Sequence, residues 1–327
     1  LYFGLVLFAG ASIGWALAPN VETLIAFRFV QGLGACAGMV VPRAVVRDLH
    51  TGNEAARLMS LLMLVFSIGP ILAPLAGTGV TAIASWRAIF WLMMVAALLG
   101  ILLLAFALPE TRPPEQRVES GIGSALSGYW LLLRDRHFLG LVFIGAFGMS
   151  SFFIYLANSS FVLIQHYGLT PTQYSLAFSV NAISFFGFSQ LNGRLGARYG
   201  LARVMRVAVT GFAAAVVILA LLMAAGIDGL FVLIGMLFVG NGFLGLVIPT
   251  SAVLALDEHG EIAGTASALM GTLQMVTGAL MMAVVGLFID GTALPMVSGI
   301  AACGIIAFTL GQLTLGRRAR IVEAPAE

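Results

Sequence analysis

The chain has 327 residues, 60% of them apolar and 9% charged, with a net charge of +2 and a mean hydropathy of +1.05. That balance excludes a soluble globular domain, whose surface could not be solvated. The charge forms no basic stripe for nucleic acid, and Cys36 and Cys303 lie in separate apolar runs, so no disulfide framework is implied.

Ten apolar runs are long enough to cross a bilayer, which takes roughly 20 helical residues. They fall near 1–18, 23–46, 57–82, 86–108, 138–164, 172–192, 203–225, 229–255, 262–288 and 293–315. Unpaired backbone is too costly in lipid, and the runs are too continuous for barrel strands. The expected fold is therefore all-α, a polytopic membrane protein. Its cations are all arginines. Fourteen lie in one set of loops, at 43–57, 112–136, 194–206 and 317–320, against Arg87 alone in the opposite loops and Arg28 inside a span. The positive-inside rule makes the fourteen-arginine side cytoplasmic, with both ends of the chain on that side. Three parts are expected: a four-span half over 1–108, a cytoplasmic linker over 109–136, and a six-span half with a short tail over 137–327. The linker opens with Pro109, Pro113 and Pro114 and carries mixed charge, and its 120–129 part is compatible with a short interfacial helix.

The first run contains the small-residue contact sequence GASIG at 10–14. In the second, Arg28 lies about two turns, roughly 10 Å, from the outer loop. It shares a helical face with Gln31, Ala35, Gly38 and Pro42. An arginine inside a span is a functional-site candidate, because desolvating it is costly without a partner; the alternative is that it snorkels to the outer interface. All fourteen acids lie in loops or at span edges, so no partner carboxylate is visible. The third run holds Gly69, Pro70, Pro74 and Gly77, a pattern for a helix bent on one face.

Ser151, Tyr155 and Asn158 share a face of the fifth run with Val162 and Gln165. Such a polar and aromatic stripe faces a water-filled cavity or supplies interhelical hydrogen bonds. Asn181, Asn241 and Gln274 in later runs are further cavity candidates, although Gln274 shares its face with Ser267, Gly271 and Gly278 and suits a close-packed interface. The four histidines sit in loops without forming a ligand cluster, and no nucleophile elbow, HExxH, P-loop or GxGxxG is present. Neither an enzyme nor direct ATP drive is expected, and no metal.

Residues 28–77 recur loosely about 207–210 positions later: Asn241-Gly242 answers Gln31-Gly32, Asp257 answers Asp48, and Gly278 falls near Gly69-Pro70. A repeat with a six-span period is the pattern of a transporter built from two halves. Six spans follow the long loop and four precede it, so two further spans are expected ahead of Leu1, ten of twelve being present.

R-F-V-Q-G-L-G-A at 28–35 resembles the fourth-span motif of proton-coupled transporters of the major facilitator superfamily, and G-P-I-L-A-P-L-A-G at 69–77 resembles their antiporter motif. V-P-R-A-V-V-R-D at 41–48, W-R-A-I-F at 86–90, L-P-E-T-R at 108–112, F-V-L-I-Q-H-Y-G-L-T-P at 161–171 and S-Q-L-N-G-R-L at 189–195 are similar to the bicyclomycin/chloramphenicol-resistance branch of its drug:proton antiporters. Ala73-Pro74 departs from the paired glycines of the antiporter pattern. Ala197 stands where a second copy of the cytoplasmic gate motif, at 193–203, has aspartate.

The resemblance implies a major-facilitator-type bundle in the bacterial inner membrane, a monomer that exports drug-like molecules in exchange for protons. Two bundles would rock to expose the cargo alternately. It implies a proton-coupling site at Arg28 and Gln31 and an antiporter motif at Gly69, Pro70, Pro74 and Gly77. A gate is implied at Arg47, Asp48, Gly193, Arg198 and Gly200, with substrate contacts at Ser151, Tyr155, Asn158, Asn181, Asn241 and Gln274. The proton gradient takes the place of a cofactor. The alternative is a symporter or uniporter for a small metabolite, against which the Gly-Pro motif speaks.

Overall fold

The computed structural model describes residues 1–49, 52–107, 122–257, 259 and 262–322, and every regular element among them is helical. The chain forms two compact units, Leu1–Glu119 and Ser120–Glu327. The first contains α1 (Tyr2–Ala16), α2 (Val21–Leu49), α3 (Gly52–Ile83) and α4 (Arg87–Ala107), with α1 packed on both α2 and α4. The second contains α5 (Ile122–Arg134), α6 (Arg136–Ser160), α7 (Pro171–Gln190), α8 (Asn192–Tyr199), α9 (Leu201–Ala224), α10 (Leu230–Asp257), α11 (Ala263–Gly286) and α12 (Leu294–Val322). A π-helical turn, Phe161–His166, prolongs α6. Helices α6 and α10 are central: α6 packs on α10, α11 and α12, while α10 also packs on α7 and α9.

Local chemistry sets the helix ends. The Asn20 carboxamide oxygen accepts from the Thr23 amide at 2.8 Å as α2 begins. Asp135 caps α6 through the amides of His137 and Phe138. Thr170 and Gln173 form a reciprocal capping box at α7, with Pro171 at the first helical position, where a missing N–H costs nothing. At the end of α9, Gly226 takes φ +82 while the Ile227 amide reaches back to the Leu222 carbonyl at 3.0 Å.

Among the described residues six helical segments are long and apolar enough to cross a membrane: Arg87–Phe106, Arg136–His166, Leu201–Ala224, Leu230–Asp257, Ala263–Gly286 and Leu294–Leu315. The sequence led us to expect ten. The other four runs are helical too. Helix α1 is apolar over its 15 residues. Helix α7 has 20 residues but is diluted by Gln173, Ser175, Ser179, Asn181, Ser184 and Gln190. Helix α2 carries Glu22, Arg28 and Gln31 among apolar residues, and α3 is apolar over Ile71–Ile83. Outward-facing side chains fit a hydrocarbon environment: Phe3, Phe106, Phe231 and Leu287 are 79%, 88%, 88% and 84% exposed, a surface that water would not tolerate.

Close helix contact depends on a few glycines. A Cβ at Gly34 of α2 would lie 2.6 Å from the Gly4 carbonyl oxygen and 2.7 Å from the Phe8 amide of α1. A Cβ at Gly245 of α10 would overlap the Phe185 carbonyl oxygen of α7. Backbone cannot rotate aside as a side chain can, so the helices themselves would have to separate. Nothing lies within 4 Å of a Cβ at Gly38, on the same α2 face. Gly34→Ala and Gly245→Ala are therefore expected to cost about 1–3 kcal/mol by overpacking. In detergent this should read as a melting temperature several degrees lower, with Gly38→Ala unchanged; equal shifts in all three would refute the contact.

Two histidine–aspartate contacts tie the second unit at opposite ends of α6. Where α6 begins, His259 Nε2 lies 3.2 Å from Asp135 and its ring meets Phe138 edge-on. At the far end, Asp228 lies 2.6 Å from His166 Nε2 and accepts from the Tyr167 hydroxyl, linking the turn after α6 to the α9–α10 loop. The Tyr167 hydrogen bond, then His166, holds the Asp228 carboxyl below its ordinary 3.8. A depressed carboxylate contributes stability above its unfolded pKa and loses it as pH falls through the folded value. The expected gain is small because Asp228 is largely exposed. Melting temperature followed from pH ~6 to ~3 should therefore fall less steeply in Asp228→Asn than in the parent; parallel curves would show that the contact contributes nothing.

Candidate functional site

In the first unit Arg28 belongs to a chain of hydrogen bonds. Arg28 Nη1 donates to Gln31 Oε1 at 2.6 Å, one helical turn away on the same face of α2. Gln31 Nε2 donates to Ser12 Oγ of α1 at 2.7 Å, and Ser12 Oγ donates to the Phe8 carbonyl at 2.7 Å. Gln31 and Ser12 are buried, at 2% and 0% exposure, whereas Arg28 is exposed on its unit. The arginine is thus oriented by a neutral amide that is itself fixed by a buried hydroxyl. Among the described residues no carboxylate pairs with it. Such a cation is free to pair with a carboxylate and to lower its pKa by proximity.

Ser12 was not singled out in the sequence, where it reads as one small residue of GASIG. The available signal was that Ser12 and Gln31 are both polar in otherwise apolar helices that must pack together. Nearby in the first unit, Trp15 stacks on Phe90 at 3.5 Å between ring centroids and meets Trp86 edge-on, and Arg87 lies 4.4 Å over Trp86.

The antiporter-motif residues lie on α3, which runs as one helix from Gly52 to Ile83. Nothing approaches within 4 Å of a Cβ at Gly69 or Gly77 in this unit, and the Thr81 hydroxyl bonds the Gly77 carbonyl at 3.0 Å. The side chains of Pro70, Arg47 and Asp48 lie outside the described residues. Of the second gate copy, Gly193 is helical within α8, Gly200 makes the turn into α9 at φ +79, and Arg198 lies 5.3 Å over the Tyr199 ring.

The polar stripe of the second unit is buried among its own helices. Tyr155 of α6 stacks on Phe178 of α7, with centroids 5.5 Å apart and planes 11° apart. Beside it Asn181 Nδ2 donates to the Ala177 carbonyl at 3.1 Å and Asn181 Oδ1 accepts from Asn241 Nδ2 of α10 at 3.2 Å. Ser184 of α7 donates to the Phe238 carbonyl of α10 at 2.6 Å. Ser151 and Asn158 bond their own helix, to the Gly148 and Ile154 carbonyls. Gln274 of α11 is buried against α6, where a Cβ at Gly145 would lie 3.0 Å from its Nε2. Tyr155, Asn181 and Asn241 therefore meet, whereas Ser151, Asn158 and Gln274 do not join them. The Tyr155 hydroxyl is buried with no hydrogen-bond partner in bonding geometry.

This arrangement, apolar helices carrying a few oriented polar groups, is that of a polytopic helical membrane protein. Residues 1–282 match the model of the Major Facilitator Superfamily, to which the chain belongs. It is 36% identical over 293 residues to the uncharacterized MFS-type transporter YdgK of Bacillus subtilis, covering 89% of this chain and 72% of that protein. It is 30% identical to the bicyclomycin resistance protein homolog of Haemophilus influenzae, covering 88% and 72%. A chloramphenicol resistance protein of Pseudomonas aeruginosa is 28% identical, with 94% and 71% covered. These relatives agree with the branch that the motifs resemble. Among solved structures, the nucleoside transporter NupG aligns with a TM-score of 0.68 at 14% identity, covering 96% of this chain and 82% of that one. The human organic anion transporter TETRAN aligns at 0.65 and 20% identity, covering 95% and 76%. At such identities they show the shared fold.

Tyr155 offers a direct test of what the buried cluster does. Removing an unpaired buried hydroxyl leaves stability unchanged or raises it slightly. Tyr155→Phe is therefore expected to match or exceed the parent melting temperature. A loss of transport at unchanged stability would assign the hydroxyl to the cargo, and unchanged transport would assign the cluster to packing.

Proposed function

We propose that this chain acts as a secondary active multidrug exporter, exchanging drug for protons by alternating access across the bacterial inner membrane. On this reading it crosses the membrane ten times with both ends in the cytoplasm, works as a monomer, and draws on the proton gradient in place of any cofactor. The observation that carries the reading is Arg28, a cation inside a helix, oriented by the neutral Gln31–Ser12 pair with no described carboxylate bound to it. A proton-carrying carboxylate that pairs with Arg28 when ionised and leaves it when protonated would couple proton entry to a change of state. Drug and proton must then favour opposite protonation states of that site. The resistance names of two relatives support a drug-like cargo.

The reading is tested by efflux of a chloramphenicol- and dye-containing panel from cells expressing the protein, with and without an uncoupler. Efflux should collapse with uncoupler and vanish in Arg28→Ala at equal expression. Gln31→Leu, which removes one charge-assisted hydrogen bond, should lower it about tenfold, the equivalent of ~1.4 kcal/mol. Compounds that move equally well without a gradient would refute antiport. A folded protein that moves none of the panel but takes up a metabolite would establish the symporter or uniporter alternative.

A further inference from the structure

The second unit carries a groove of about 280 Å³ where α8 turns into α9, lined by Leu195, Tyr199, Arg203, Val204, Val207 and Ala208 together with Leu246 of α10. Its volume falls below the ~300 Å³ at which pockets begin to hold drug-sized ligands, so it suits a narrow apolar chain. Tyr199, Arg203 and Val207 are exposed along it, while Val204, Ala208 and Leu246 are buried.

Its chemistry is graded along the helix. Arg203 lies in the first turn of a segment long and apolar enough to span a bilayer, Leu201–Ala224, and hence at the level of a membrane surface. Val207 and Ala208 lie about one turn further along, roughly 6–8 Å deeper at 1.5 Å per residue. No side chain caps the N-terminus of α9, so its first N–H groups face the same end. Charge points the same way. Between Asn192 and Ile227 the sequence has Arg194, Arg198, Arg203 and Arg206 and no acid. Arg206 is engaged, donating to the Leu315 carbonyl at 3.1 Å, while no described carboxylate pairs with Arg203.

We propose that this groove holds one anionic glycerophospholipid, its phosphate against Arg203 and the first N–H groups of α9, and part of one acyl chain along Val204, Val207, Ala208 and Leu246. A cation at the surface above an apolar channel matches a lipid end to end. A soluble anion would leave the channel unfilled, and a neutral hydrocarbon would leave Arg203 without its counter-charge.

The test compares the protein in nanodiscs of phosphatidylglycerol and of phosphatidylcholine, reading melting temperature and the lipid retained in native mass spectrometry. The parent should melt higher in phosphatidylglycerol and retain it. Arg203→Gln should lose more than half of that difference with its melting temperature in phosphatidylcholine unchanged. Val207→Trp, which fills the channel from its exposed side, should lose the retained lipid while keeping the charge. The proposal is overturned if either variant keeps the full preference. It is overturned too if Arg194→Gln, off the groove, loses as much as Arg203→Gln, since the attraction is then diffuse. Glycerol 3-phosphate separates headgroup from lipid: full stabilisation by this soluble anion would make the channel irrelevant and reduce the site to a phosphate contact.

Discussion

Polar side chains inside these apolar bundles, the Tyr155 hydroxyl and the Trp15 indole N–H apart, find partners on a neighbouring helix or on their own backbone, and this constraint organises both units. Water is not available to make up the bond, so an orphaned donor or acceptor costs more than a made bond contributes. Ser12 and Gln31 satisfy each other across α1 and α2, and Asn181 and Asn241 do so across α7 and α10. The Thr250 hydroxyl of α10 lies between Asn192 of α8, at 2.8 Å, and the Leu246 carbonyl of its own helix. Each interhelical pair fixes the rotation and register of two helices, because sliding by one residue would break it. Dispersion between apolar surfaces could not impose that, since lipid packs against an aliphatic side chain as well as another helix does.

Such bonds require the backbones to come close, which explains why glycine lies beside the polar pairs. Gly34 brings α1 against α2 one turn from Gln31, and Gly245 brings α7 against α10 one turn from Asn241. Gly145 leaves room for Gln274 and Ser251 beside α6. Small and polar residues are therefore one device: the first permits approach and the second sets the register.

The all-helical class, the approximate bounds of the helices and the placing of Arg28 and Gln31 on one face were legible from the sequence, because composition and helical spacing are local properties. Ser12 was not, since its meaning depends on which face α1 turns toward α2. The cavity candidates show the same limit from the other side. Spacing places Ser151, Tyr155 and Asn158 on one face of α6, yet two of them bond their own backbone and the third meets α7. Periodicity finds a polar face but does not say whether a helix or a cavity lies opposite. The serines and amides of α7 serve its neighbours and lower the apolarity of that helix.

On the proposed function, the manner in which Arg28 is held bears on coupling. An arginine locked in a bidentate carboxylate pair has its charge compensated and responds weakly to another acid nearby. Arg28 is instead oriented through a neutral amide, which fixes the direction of the guanidinium without cancelling its charge. A carboxylate approaching it gains the full attraction, and one that becomes protonated loses it. On the proposed function, the Ser12–Gln31 pair would supply rigidity and leave the electrostatics to a proton carrier, a division that suits a proton-driven exchanger better than a purely structural arginine, which a permanent carboxylate would stabilise more.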